Sequence, residues 1–337
     1  MGPIRKRRPV SKRGLVSKQA AAFIILATIL AANTGLADEW PSHAIRVVSP
    51  FATGATCDIV ARTVLDPAGS EIKQSFLLEN RPGGGGTLGV ASVVKAAPDG
   101  YTLLLATSAM SAAVILHKSL PYDVLRDLEP VAMFGGEPSM LMAAPGKGYS
   151  SVADLVAAAK ARPGAIKFGS VGIGSASHMA GERFGLLAGL NVVHVAYAGA
   201  AEALADLGAG RIDFYLIPVT PALPLITQGK AVPLAVSTAA RLQSLSGLPT
   251  LRESGYPLPA YLTWCGLAAP AKTPPEIVGK LNEAIGKVLN LPAVRTKLLR
   301  TGFQPAPMLA EDYARFIADD VAAVVKLGKE AHIEPLD

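Results

Sequence analysis

One pattern constrains this chain more than any other feature. Short apolar runs recur, and each is followed by a small-residue loop and then by a stretch with helical spacing. AIRVVSPF (residues 44–51) passes through ATGAT into CDIVARTVLDPAG, SFLLEN is followed by a short helix predicted over residues 87–97, and YTLLLAT (101–107) reads as a third strand. Alternation of this kind argues for a parallel sheet covered by helices on both faces. The pattern then repeats. SVADLVAAAKARPG predicts a helix with Ser151 as N-cap and Asp154 three residues on, close to a capping box. IKFGSVG is a strand, HMAGERFGLLAG a helix ended by Gly189, and NVVHVAY, RIDFYLI and AVPLAVS are further short apolar runs. Towards the C-terminus, Pro274 and Pro275 stand where a helix begins, and EIVGKLNEAIGKVLN and AEDYARFIADDVAAVVKLGKEA carry apolar residues at helical spacing. Such amphipathic helices are most economically placed back on the first sheet. The expectation is an α/β fold of two lobes, residues 38–140 plus 266–337 and residues 141–265. Two crossovers, near residues 138–145 and 260–270, join them, and a cleft lies between.

The first 37 residues have a different character. They hold seven Lys and Arg and no acid, and residues 20–32 are an uncharged, largely apolar run of 13. That run is shorter than the roughly 20 residues a spanning helix needs. With small residues at Gly35 and Ala37 it reads as a secretory signal cleaved near Ala37. The rest of the chain then has 25 basic residues against 26 acidic ones, net −1, out of the 32 and 26 of the whole sequence. A basic nucleic-acid surface is excluded from that part. No cysteine sits just after the apolar run, so a soluble periplasmic protein without a lipid anchor is expected. Two cysteines remain, Cys57 and Cys265. Neither position looks like a required staple, because some 300 residues bury an ample core, and two free thiols are expected.

The junction PFATGATCDIVAR carries the first chemical signal. Gly54 with Ala52, Ala55 and Thr56 lets backbone N–H groups approach a ligand, and the helix that follows presents its unsatisfied amides and positive dipole end. Asp58 caps that helix or braces the loop. Cys57, at the helix start, is either a thiol of lowered pKa or a small residue filling the loop. A counterpart, GSVGIGSASH, follows a later strand. There Gly169, Gly172 and Gly174 free the backbone, Ser170, Ser175 and Ser177 supply hydroxyls, and His178 falls near the helix start. Thr107 and Ser108 emerge at the end of a strand on the same edge as the first loop, the edge where open α/β sheets bind ligands. His194 reads as a hydrogen-bonded core residue. Tyr197 either reaches the cleft with its hydroxyl or packs.

Several functions are disfavoured. RPGGGGTLG lacks the GK[ST] of a phosphate-binding P-loop, and GIGSAS lacks the last glycine and the ribose-binding acid of a dinucleotide fingerprint. No G-x-S-x-G elbow, H-E-x-x-H or C-x-x-C occurs, so neither a metal nor a cofactor is expected. Asp319 and Asp320 lie on an amphipathic helix and read as a solvated face. An enzyme that uses Ser175 and His178 as nucleophile and base in the cleft remains the alternative to a binding protein without catalysis.

The order of segments resembles the Bug family, the extracytoplasmic binding receptors of tripartite tricarboxylate transporters. The matching stretches include IRVVSPFATGATCDIVAR, ENRPGGGGTLGVASVVKAAPDGYTLLLAT, KFGSVGIGSASHMAGE, VVHVAYAG and LPTLRESGYPLPAYLTWCGLAAPAKTPPEIVGKLN. The resemblance implies a type II periplasmic-binding-protein-like fold and no enzymatic activity. It also implies capture of a small di- or tricarboxylate or aromatic carboxylate, and its delivery to membrane permease subunits by a monomer. A sensor subunit that presents its ligand to a membrane kinase uses the same closed surface. The family's binding loops fall on Phe51, Thr53, Gly54, Ala55, Thr56, Cys57 and Asp58, on Thr107 and Ser108, and on Ser170, Gly172, Gly174, Ser175, Ser177 and His178, with Tyr197 nearby. The departures bear on the ligand. The first loop is usually closer to PFPPGGSTD, HVPYKG is replaced by HVAYAG, and Ile217 and Pro218 stand where many relatives have a polar pair. A site without that acid has less reason to select an amino group. A non-amino carboxylate is expected, with an apolar or aromatic body against Ile217 and Phe51.

Overall fold

The computed structural model describes residues 2, 40–51, 53–197, 199–242, 245–258 and 263–335. The signal segment expected at residues 1–37 falls, apart from residue 2, outside the described residues, as do Ala52 and Ala198. In chain order the strands are β1 (Ile45–Ser49), β2 (Phe76–Asn80), β3 (Thr102–Thr107), β4 (Leu128–Glu137), β5 (Ser139–Ala143), β6 (Ile166–Ser170), β7 (Val192–Ala196), β8 (Phe214–Pro218), β9 (Val232–Val236), β10 (Thr263–Pro270) and β11 (Gln304–Pro305). The helices are α1 (Thr56–Ile72), α2 (Thr87–Val94), α3 (Ser108–Leu116), α4 (Val152–Ala161), α5 (Ala176–Ala188), α6 (Ala200–Gly208), α7 (Val219–Thr227), α8 (Pro275–Asn290), α9 (Pro292–Arg300) and α10 (Ala310–Glu330).

Two sheets result, in the orders β11-β4-β10-β3-β1-β2 and β7-β6-β8-β5-β9. Both lie in one compact unit, residues 43–337. The sheets are mixed, which corrects the expectation of parallel pairing. β1 runs parallel to β2 and β3, and β6 runs parallel to β7 and β8. In contrast, β10 is antiparallel to β3 and β4, and β5 is antiparallel to β8 and β9. The two segments expected as plain crossovers are themselves these antiparallel strands. Each enters a sheet from the opposite one with no α-helix among the described residues of its connection, and parallel pairing requires a crossover. The passage from β4 to β5 is made at a single residue, Pro138. The two sheets therefore share one plan, in which a strand arriving from the other sheet is inserted between the third and fourth of its own.

Local signals explain the element ends. The Ser151 hydroxyl accepts the Asp154 N–H at 3.1 Å, as a cap should, and the Asp154 carboxylate accepts from the N–H and hydroxyl of Ser150. Gly189 ends α5 in the left-handed region at φ 62°. One face of the first sheet buries Val48, Leu104, Trp264, Tyr313 and Ile317 together. The second sheet has Leu141, Phe168, Phe184 and Phe214 in one apolar cluster, and Met140, Leu207, Tyr215 and Ile217 in another. Each such side chain contributes about 1.5–3 kcal/mol on burial. The C-terminal helices pack on the first sheet, α8 against α1 and β4, and α10 against α3 and β4. α10 also reaches the second sheet's α5, where Met179 meets Val324 and Leu327.

Cys57 and Cys265 are bonded to each other, with Cα atoms 5.8 Å apart, so the expectation of two free thiols is wrong. The reason is topological. β10 returns beside β3 with Cys265 opposite Thr107, which places it under the first turn of α1, where Cys57 sits. Positions 208 residues apart look unrelated until that insertion is known. Closing so long a loop removes entropy from the unfolded chain worth about 2–5 kcal/mol. A thiol count on the denatured, unreduced protein is expected to find no free thiol, and reduction is expected to lower the urea midpoint by a corresponding amount.

Candidate ligand-binding site

Three helices begin at one cavity. Ala55 and Thr56 at the start of α1, Ser108 at the start of α3, and Ser175 and Ala176 at the start of α5 all line a space of about 310 Å3. First-turn amides have no carbonyl partner within their helix and carry the positive end of its dipole. Ala55 and Thr107, the N-caps of α1 and α3, place no side chain on those amides. At α5, Ser175 does cap, accepting the His178 N–H at 3.3 Å. The cavity thus meets two uncapped helix starts from one sheet and one capped start from the other.

The first loop is braced from behind by Asp58, whose side chain is 1% exposed. Its carboxylate accepts from the Gly54 N–H at 3.0 Å, Arg62 Nε at 3.1 Å and Asn80 Nδ2 at 2.9 Å. Burial pushes this carboxyl up, but the Arg62, Gly54 and Asn80 hydrogen bonds outweigh it and hold the group below the usual carboxylate range. Asn80 also donates to the Phe51 carbonyl at 2.9 Å and accepts from the Thr53 hydroxyl at 3.0 Å. Thr53, Gly54 and Asp58 therefore shape the loop, while Phe51, Ala55, Thr56 and Cys57 line the cavity. Cys57 does so as half of a disulfide, so it is not a reactive thiol.

In the second loop, the Ser170 hydroxyl accepts the Gly172 N–H at 3.1 Å and lies 2.6 Å from His194 Nε2. The Ser175 hydroxyl donates to the Gly172 carbonyl at 2.7 Å, and the Gly174 N–H donates to His178 Nδ1 at 3.0 Å. Gly174 has φ 78°, and a Cβ there would collide with Leu116 of α3. His178 and His194 stack with ring centroids 4.0 Å apart. Burial and the neighbouring His178 push His194 down to about 4. These bonds argue against a nucleophile–base pair. The Ser175 proton points at a carbonyl, and the Nδ1 lone pair of His178 is taken by a backbone amide.

Tyr197 donates its hydroxyl to Asp206 of α6 at 2.8 Å, and Arg211 Nε holds the same carboxylate at 2.7 Å; the tyrosine does not line the cavity. Ser177 and Ile217 line a second, smaller space of about 210 Å3 with Val171 and Tyr215, which shares Ala176 and Thr263 with the first. Phe51 and Ile217, expected against one ligand body, thus belong to adjoining chambers. Arg183 and Asp320 also line the main cavity. Sequence reasoning missed both, and the reading of Asp320 as part of a solvated face is corrected: Trp264 Nε1 donates to its Oδ2 at 3.0 Å. A signal for Arg183 was present, because Ser175, Met179 and Arg183 recur every four residues and share one helix face. Among the described residues, no group of His, Cys, Asp and Glu is placed to hold a metal ion.

The sequence matches the model of the tripartite tricarboxylate transporter family receptor over residues 60–332. The chain belongs to that family. It is 33% identical to Protein BugT of Bordetella pertussis over 304 residues, 90% of this chain and 93% of BugT. Among solved structures it is similar to Rpa4515 of R. palustris with adipate (33% identity, TM-score 0.72, 88% of this chain and 100% of that one). It is also similar to MatC (Rpa3494) of Rhodopseudomonas palustris with bound malate (28%, 0.67, 86% and 99%). A TctC solute-binding protein from Polaromonas superposes with TM-score 0.78 at 27% identity, over 86% of this chain and 99% of that one. The fold is that of TctC-type periplasmic binding proteins, and the family's members are solute-binding receptors.

In this receptor one acid next to the site is held in an unusual state. Glu137 ends β4 beside Pro138 and is 9% exposed. Burial raises its pKa to about 7, against a hydrogen bond from Thr56 that pulls it back. The folded state therefore holds this proton more tightly than the unfolded chain, whose value is 4.5. The stabilisation is complete below the unfolded value and is lost as pH rises through the folded one, a difference of about 3 kcal/mol. Urea unfolding at pH 5 and pH 8 is expected to show the wild type losing stability on going up, relative to Glu137→Gln, with the largest change between those two pKa values.

Proposed function

We propose that this protein captures a small organic carboxylate in the cavity between its two sheets and delivers it to membrane permease subunits. On this reading the mature chain is periplasmic after removal of residues 1–37. Residues 38–140 plus 266–337 and residues 141–265 form lobes that close on the ligand about Pro138 and the return into β10. The observation that carries the reading is the convergence of three helix starts on one cavity, two of them without side-chain caps. Backbone amides at helix N-termini are suited to a carboxylate and leave nothing to perform chemistry on it. Adipate and malate in the related structures support the same class of ligand. The hydrogen bonds of Ser175 and His178 favour a receptor over a hydrolase or isomerase. Ile217 is 1% exposed in an apolar wall, so that position offers no acid for an ammonium group. The ligand is a non-amino carboxylate.

A thermal-shift panel on residues 38–337, refolded to remove carried-over ligand, tests this. It comprises aliphatic dicarboxylates, citrate, aromatic carboxylates, acidic amino acids and nucleotides. A ligand at 100 times its dissociation constant adds about 2.7 kcal/mol, a clear rise in melting temperature. A rise confined to non-amino carboxylates, without turnover, is expected. Strongest stabilisation by aspartate or glutamate, or consumption of any compound, would refute the reading.

A further inference from the structure

Arg183 lies on α5 two turns beyond Ser175 and lines the main cavity. It also borders an outer groove with Leu186, Leu187 and Lys326, so its stem runs through the wall between the two. A guanidinium has five N–H donors. Among the described residues, no hydrogen bond and no ion pair within 4.0 Å engages the Arg183 guanidinium. Burial pushes its pKa down, and the charge of Asp320 opposes that. Asp320 itself already accepts the Trp264 N–H at 3.0 Å. The residue is only half-buried, so its unengaged donors are open to oxygens brought by an occupant of the cavity.

The cavity has a second anion-attracting end, where α1, α3 and α5 begin. With a rise of 1.5 Å per residue, the Arg183 backbone stands about 10 Å from the start of α5 at Ala176. Helical side chains lean back towards the N-terminus, which brings the guanidinium closer to that end. Met179 occupies the same helix face between the two, and Ala109, Ala112 and Val324 add apolar wall. The chemistry is that of two anion sites with an apolar spacer.

We propose that Arg183 binds a second carboxylate of the ligand, so that this receptor selects dicarboxylates with an apolar spacer over monocarboxylates of equal length. The proposal rests on the carboxylate-receptor reading and narrows it. Asp320, within electrostatic reach of the same guanidinium, tempers the attraction.

Titration calorimetry with glutarate, adipate and pimelate against pentanoate, hexanoate and heptanoate tests the assignment. The wild type is expected to prefer the diacid of the best-fitting length. Arg183→Gln is expected to weaken that diacid by about 10–100-fold, the range of one charge-assisted contact, and to leave its monoacid unchanged. Retained monoacid binding also shows that the variant is folded. Arg183→Lys is expected to recover part of the loss. Asp320→Asn, which keeps an acceptor for Trp264, is expected to tighten the diacid alone. A wild type that binds mono- and diacids equally, or an Arg183→Gln variant that loses neither or both to the same degree, overturns the proposal while the receptor reading stands. A wild type that binds no carboxylate of either series or of the wider panel removes the receptor reading and this proposal with it.

Discussion

The first-turn amides of α1 and α3 have no carbonyl four residues back and no capping side chain over them. Exposed to water such groups are unremarkable, but at the wall of a cavity they require an acceptor. The surrounding structure keeps them facing the same space. Asp58 and Asn80 hold the first loop in shape, and Ser170, Ser175 and His178 do the same for the second through bonds to backbone groups. Most polar side chains near the site therefore orient backbone, and the groups left open to the cavity are amides, a few hydroxyls, the Arg183 guanidinium and the Asp320 carboxylate.

That division of labour explains what the sequence made legible. The strands ending at Ser49, Thr107 and Ser170, the helix starts behind the first and the third, the cap at Ser151 and the stop at Gly189 all follow from local patterns, and the structure places them within a residue or two. For Asp58 the sequence left a helix cap or a loop brace open, and its bonds to Gly54 and Asn80 make it the brace. The features that were not legible depend on distant parts of the chain. Nothing near residues 128–143 or 263–270 says that these stretches are strands inserted beside partners from far away. The pairing of Cys57 with Cys265 follows from that insertion. Asp320 enters the cavity because α10 lies on the first sheet and touches α5. Tyr197 had two open choices, and Asp206, nine residues on, took its hydroxyl.

Electrostatics at the site are arranged in depth. Among the described residues that line the helix starts there is no full positive charge, so a carboxylate there would meet oriented dipoles. Two turns along α5 stands a guanidinium, and beyond it the acid of Asp320, itself bonded to a buried indole. Below the first loop, Glu137 is shielded enough to hold its proton near neutrality. A fixed anion under the loop would oppose an anionic ligand above it, and burial removes much of that opposition.

The shared plan of the two sheets also sets an order of events during synthesis. The second sheet is built from β5 to β9, residues 139–236, without interruption. The first sheet is not, because its interior position between β3 and β4 stays vacant until residues 263–270 are made. A chain emerging from its N-terminus therefore carries the edges of one sheet in waiting while it completes the other. Pairing across such a separation is slow because loop-closure entropy is lost before the contacts form. Only when β10 is seated does Cys57 find its partner, so the covalent link records that insertion.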